Sequence, residues 1–160
     1  MESHLSELRQ LIDDMDKLDH ESMFRAAWSW APMGAMISRD DGTIIRVNNM
    51  LMWILGYTSD ANTKKPFKER GWKVLSHPDD VDVCLANLNN RTKEEDFRCR
   101  ARKRYIRQDG SYIWVEVSSL HFYDPDIIKG PFAFVWISVC SDQNYNQAEV
   151  LEVGCGRLSE

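Results

Sequence analysis

"FAFVWISVC", Phe132–Cys140, decides how this chain is assembled. Read as a strand, it puts Phe132, Phe134 and Trp136 on one face and Ala133, Val135, Ile137 and Val139 on the other. Neither face is polar. A strand apolar on both sides is central in its sheet and covered above and below. "SYIWVEV", Ser111–Val117, behaves alike, with Tyr112 and Trp114 set against Ile113, Val115 and Val117. Burying a large apolar side chain contributes about 1.5–3 kcal/mol, so a wet face on either strand would be costly. The chain must therefore supply cover for both sides of a sheet.

The segments before these strands supply it. Phe97 to Gln108 alternates, Asp109-Gly110 turns, and Ser111 to Phe122 returns. Earlier, Gly34–Ser38 and Thr43–Asn48 flank Asp41-Gly42 and read as another hairpin. Met50 to Leu55 is an unbroken apolar run, poor in β-branched residues, and reads as a short helix. Asn48 or Asn49 serves as its N-cap and Gly56 as its C′ residue. Thr58–Trp72 is polar, broken by Pro66 and Gly71, and predicts one or two helical turns. Ser76-His77-Pro78-Asp79-Asp80 is a helix start: Pro78 fits the first turn and the aspartates favour the positive end of the dipole. Val81, Cys84, Leu85 and Leu88 form the apolar face of that helix.

At the N-terminus, Leu8, Leu11, Met15 and Leu18 recur at helical spacing, overlapped by Leu5 and Ile12. We expect an amphipathic helix over 1–22, a domain over 23–142, and a linker or tail over 143–160 that turns weakly apolar, as at the start of another helix. The helix is expected to cover the second sheet face or to form a dimer seam.

The chain has 160 residues and a net charge of −5, ordinary for one domain and contrary to a general nucleic-acid binder. No apolar run approaches the roughly 18 residues of a membrane span, and no secretory signal is visible. Cys84, Cys99, Cys140 and Cys155 make no C-x-x-C pair or zinc spacing. A cytoplasmic protein with reduced thiols and no metal is expected.

Three pieces of sequence resemble a known family. They are "FRAAWSWAPMGAMISRDDGTIIRVNNMLMWILGY", "HPDD" opening a long helix, and "RYIRQDGSYIWVEVSS". In this order they resemble a PAS domain from about Phe24 to Asp142. The resemblance implies an α+β fold: a five-stranded antiparallel sheet with short helices on one face and a pocket between them. It also implies a sensor or dimerisation module of a signalling protein, without catalysis of its own. The expected partners are a second copy, joined through the N-terminal helix and the sheet face, an attached or separate output domain, and a small ligand. A ligand-free interaction module with a packed core is the alternative.

Pocket residues are expected at Asn48, Met52, Trp53, Cys84, Leu88, Tyr105, Trp114 and Trp136, and an interface at Leu8, Leu11, Met15 and Leu18. The light-sensing flavin subgroup carries a reactive cysteine in Asn-Cys-Arg-Phe, which is absent here. Flavin held without that cysteine would use Asn48, Trp53 and Trp114. Haem would need His77 or His121, and His77 sits at a helix start. No cofactor is the leading expectation. Arg98, Arg100, Arg102 and Arg104 form a stripe, read as an edge strand protected by charge or as a contact for an anion or acidic partner. No phosphate loop, nucleophile elbow or acid–base pair is present.

Overall fold

The computed structural model describes residues 19–58, 71–89, 96–122 and 132–155, the side chains of Asn87, Leu88 and Cys155 excepted. The chain forms two compact units, dividing after Trp30. In the first, helix α1 runs His20–Trp30. Asp19 caps it, its carboxylate accepting from the Ser22 amide at 2.7 Å. Phe24 and Trp28, one turn apart, stack with centroids 5.8 Å apart. Leu8, Leu11, Met15 and Leu18 lie outside the described residues.

The second unit is a single antiparallel sheet with helices. Its elements are β1 Gly34–Arg39, β2 Ile44–Val47, α2 Asn49–Ile54, α3 Trp72–Leu75, α4 Pro78–Asn89, β3 Phe97–Ile106, β4 Tyr112–Phe122, β5 Phe132–Val139 and β6 Glu149–Cys155. The strand order is β2-β1-β5-β4-β3-β6. The segment read first from the sequence, β5, is thus internal, between β1 and β4.

Both hairpins turn by the same chemistry. Gly42 (φ 92°) and Gly110 (φ 82°) adopt the left-handed backbone that favours glycine. The aspartate before each accepts from the amide two residues on, Asp41 from Thr43 at 2.8 Å and Asp109 from Ser111 at 2.9 Å. Helix α2 ends as "LGY" suggests: the Gly56 amide donates to Trp53 O at 3.0 Å and the Tyr57 amide to Met52 O at 2.9 Å. That pair of bonds is a Schellman cap, with Gly56 at φ 78°.

The core lies on one face of the sheet. Met36, Val115, Val117, Ala133, Val135 and Ile137 meet Leu51, Met52, Ile54, Leu55 and Leu75 there. On the opposite face of β5, Phe132 is buried, Phe134 half-buried and Trp136 37% exposed. These three form an aromatic ladder with Phe122, centroids 5.3–6.3 Å apart.

Two expectations need correction. The sheet has six strands, not five, because Glu149–Cys155, expected in a C-terminal linker or a helix, pairs antiparallel with β3. The arginine stripe is the reason. Arg102 meets Glu149 and Arg100 meets Glu152 across the pair, at 3.4 and 4.0 Å. Glu116 on β4 approaches the same two arginines at 3.4 and 4.0 Å. The stripe therefore does not guard an edge. β3 is covered on both sides, and carboxylates from each neighbour offset its charge, each pair contributing about 0.2–1 kcal/mol.

Candidate functional site

β3 alternates, so the residues between the arginines face the helices. Cys99, Ala101, Lys103 and Tyr105 from this strand line a cavity of about 60 Å³. Ser119 and His121 of β4, Met36 and Ser38 of β1, Ala133 and Val135 of β5, Trp72 of α3 and Cys84 of α4 complete its wall.

Lys103 dominates this space chemically. It is only 3% exposed. Its Nζ donates to Ser76 Oγ at 3.1 Å, and the Ser76 hydroxyl in turn donates to Trp72 O at 3.2 Å. The ammonium also stands 4.6 Å from the Trp72 ring and 5.2 Å from the Tyr105 ring, within cation–π range. Burial pushes its pKa down, against the pull of Cys84 and Asp80. Burial also pushes the Cys99 thiol up to about 11, so that side chain stays a neutral thiol. Tyr105 is fully buried and held in its phenol form by desolvation. Its hydroxyl has no hydrogen-bond partner among the described residues.

A buried ion pair fixes the strand that carries these groups. Asp80, 1% exposed at the start of α4, accepts from the Arg104 amide (2.8 Å), Nε (3.0 Å) and Nη2 (2.6 Å). Burial raises the Asp80 pKa, but the Arg104 hydrogen bonds and charge outweigh it and leave the carboxyl below its ordinary value. Next to it, the His77 amide donates to Arg104 O at 2.9 Å. The His77 ring accepts from the Asp79 amide at 3.2 Å, the capping role expected of it.

The expected pocket residues separate into four groups. Cys84 and Tyr105 line the cavity. Asn48 and Met52 are buried in the core beside α2. Asn48 is a structural hub: its Oδ1 accepts from the Ala35 and Leu51 amides, both at 2.9 Å, and its Nδ2 donates to Met33 O at 3.0 Å. Trp53 is 73% exposed, because Leu51, Met52, Ile54 and Leu55 take the inward side of α2. Trp114 and Trp136 occupy the sheet face away from the helices. There Trp114 lies beneath the segment after β5, its ring 5.4 Å from that of Tyr145. Gln143 bonds both the Trp114 amide (2.7 Å) and carbonyl (3.1 Å). The Leu88 side chain lies outside the described residues.

His121, which the sequence left free to face either way, faces the cavity, with Nε2 3.3 Å from Ser119 Oγ. Lys103 and Ser119 were not singled out from the sequence. Strand alternation carried the signal for Lys103: if Arg102 and Arg104 point one way, Lys103 shares the face of Tyr105.

Among the described residues no three His, Cys, Asp or Glu side chains group to hold a metal ion. None of the described helices is long and apolar enough to cross a membrane. At about 60 Å³ the cavity is far below the roughly 300–1,000 Å³ of sites for drug-sized ligands. It does not accommodate a flavin or haem ring in this arrangement.

Comparison with known proteins agrees with this architecture. None of the curated proteins matches the chain. Among solved structures, the PAS domain of an HTR-like protein from Haloarcula marismortui superposes with a TM-score of 0.60 at 22% identity, covering 75% of this chain and 96% of that one. A PAS domain from Colwellia psychrerythraea gives 0.61 at 16% identity, covering 77% and 98%. A domain of a sensory box sensor histidine kinase/response regulator from Geobacter sulfurreducens gives 0.54 at 24% identity, covering 72% and 91%. These likenesses are of fold. A family profile described as "PAS domain" matches residues 32–142, well over half of the sequence, and the chain belongs to that family.

Proposed function

We propose that this PAS domain is a sensory module of a signalling protein, reading a small molecule in the cavity behind β3 and performing no chemistry of its own. One observation carries the reading: the core keeps a space beside a buried ammonium and a phenol hydroxyl that has no partner among the described residues. Such groups are costly to bury without a partner. The Geobacter relative belongs to a sensor histidine kinase/response regulator, and we extend that kind of role to this chain.

The relay we propose is β3 itself. Its odd residues line the cavity, while its even residues hold β6, Glu116 and Asp80. A ligand that prefers one position of β3 shifts the population of both sets of contacts. An output domain and a second copy, the latter joined through the N-terminal helix and the outer sheet face, are the partners we infer, with the cytoplasm as the setting.

The aromatic ladder on the outer face favours a second reading, a ligand-free interaction module. Native mass spectrometry of the purified chain separates the two. A retained small molecule, or a change of oligomeric state when one is added, is expected for a sensor. A bare mass that no added small molecule changes, with association lost in Trp136→Ser, would establish the interaction module.

A further inference from the structure

We propose that the cavity behind β3 takes a small organic monoanion, a carboxylate on a short apolar chain, whose negative charge pairs with Lys103 and accepts from Tyr105. The inference rests on the sensory reading above and names the class of molecule sensed.

The charge balance of the cavity leads there. Around Lys103 stand the Ser76 hydroxyl, the Trp72 and Tyr105 rings and the Cys84 side chain, none of them a carboxylate. Among the described residues no carboxylate lies within ion-pair distance of its ammonium. Asp80 is committed, with both oxygens, to Arg104. Cys99, as a neutral thiol, supplies no anion. With no carboxylate in contact, burial outweighs the pull of Cys84 and Asp80 and makes the charged form of Lys103 costly. A ligand that brings the charge removes that cost.

The second observation is Tyr105. This fully buried side chain lines the same cavity, and its hydroxyl lacks a partner among the described residues. A phenol held in its protonated form is a donor, suited to an anion. Beside β3 on the same sheet face, Met36, Val117, Ala133 and Val135 give the lining an apolar side, with Ser38, Ser119 and His121 as polar members. The site is thus two-ended: one positive charge with a donor, and an apolar wall.

Size and charge narrow the class. About 60 Å³, at 10–15 Å³ for each water-sized position, corresponds to about four to six heavy atoms. One lysine balances one negative charge, so a phosphate dianion would leave an unpaired charge buried. A carboxylate of about two to four carbons meets all three conditions.

The test uses the full chain and sodium butyrate, with butyramide as the neutral isostere and inorganic phosphate as the competing anion. Titration calorimetry and amide NMR are expected to show saturable butyrate binding, with shifts concentrated in Ala101–Tyr105. Butyramide and phosphate should bind about tenfold more weakly or worse, the loss of one charge-assisted hydrogen bond. Lys103→Met should abolish butyrate binding while keeping the amide spectrum of a folded chain. Should that variant fail to fold, Tyr105→Phe, which removes the donor and keeps the ring, should weaken binding severalfold. Absence of saturable binding, equal response to butyramide, or undiminished binding in either folded variant would overturn the proposal. A neutral metabolite found in the cavity would overturn the anion and leave the sensor. Butyrate binding that changes neither oligomeric state nor an attached output would leave the anion and remove the sensor.

Discussion

Beside α2, Leu51, Met52, Leu55 and Ile137 are wholly buried, and Asn48 satisfies backbone groups of β1 and α2 at once. Beside α3 and α4, the same layer of the same domain keeps a space lined by Lys103, Tyr105, Cys99 and His121. One end is close-packed, with the Asn48 amide bonded through both its oxygen and its nitrogen. The other buries a cation and leaves a hydroxyl without a partner among the described residues. Close packing is the ordinary condition of a protein interior, so the solid end shows what this sequence does when stability alone is at stake. The open end departs from that rule where the charged and polar side chains gather. Departures of this kind are expected at functional sites.

Substitutions can break or sharpen this contrast. The largest effect is expected from Arg104→Ala, which strands the Asp80 carboxylate at the border of the open end. It should cost about 3–5 kcal/mol in urea unfolding. The same pair predicts the acid limb of stability. The Asp80 carboxyl titrates below its ordinary value in the fold, so its contribution is complete above that ordinary value, near 3.8, and disappears as pH falls through the lower folded value. In the Arg104→Ala protein the acid limb from this pair should be absent.

Asn48→Ala tests the solid end. It removes a cap and leaves the Ala35 amide and Met33 carbonyl without this partner, at an expected cost of about 2–3 kcal/mol by thermal or chemical unfolding. Lys103→Met should go the other way, raising stability by about 1 kcal/mol, because an apolar chain of similar length replaces a buried charge and the Ser76 hydroxyl keeps its bond to Trp72 O. A marked loss of stability in that variant would show that Lys103 serves the fold and would erase the contrast between the two ends. Trp53→Ser, on the exposed side of α2, should change stability by less than about 0.5 kcal/mol and leave the cavity untouched.

Much of the fold was legible because its signals are local. Asp41-Gly42 and Asp109-Gly110 specify their turns through one carboxylate and one positive φ each. Asn48 and Leu55-Gly56-Tyr57 bracket α2 with caps that need no tertiary partner to be recognised. β6 was not legible, because Glu149 and Glu152 look like a solvated tail until Arg102 and Arg100 stand opposite.

The site was legible only in part, for a related reason. Alternation assigns residues to one of two faces but does not say which face meets the helices. Large aromatic side chains suggested burial at Trp53, Trp114 and Trp136, yet only Trp114 is buried, and on the far side of the sheet. Lys103 was hidden by its neighbours: within "RCRARKRY" one more cation reads as part of a surface stripe. Its opposite orientation follows from the pleat alone.

The sixth strand also decides where other molecules can join the sheet. With Glu149–Cys155 paired to Phe97–Arg102, that length of β3 is no longer an edge, and the sheet ends at β6 and β2. β6 is held along one side, partly by ion pairs that salt screens. Its other side faces no strand among the described residues, as befits an edge. High ionic strength therefore loosens the Arg100–Glu152 and Arg102–Glu149 hold on β6 while leaving its backbone ladder to β3 in place.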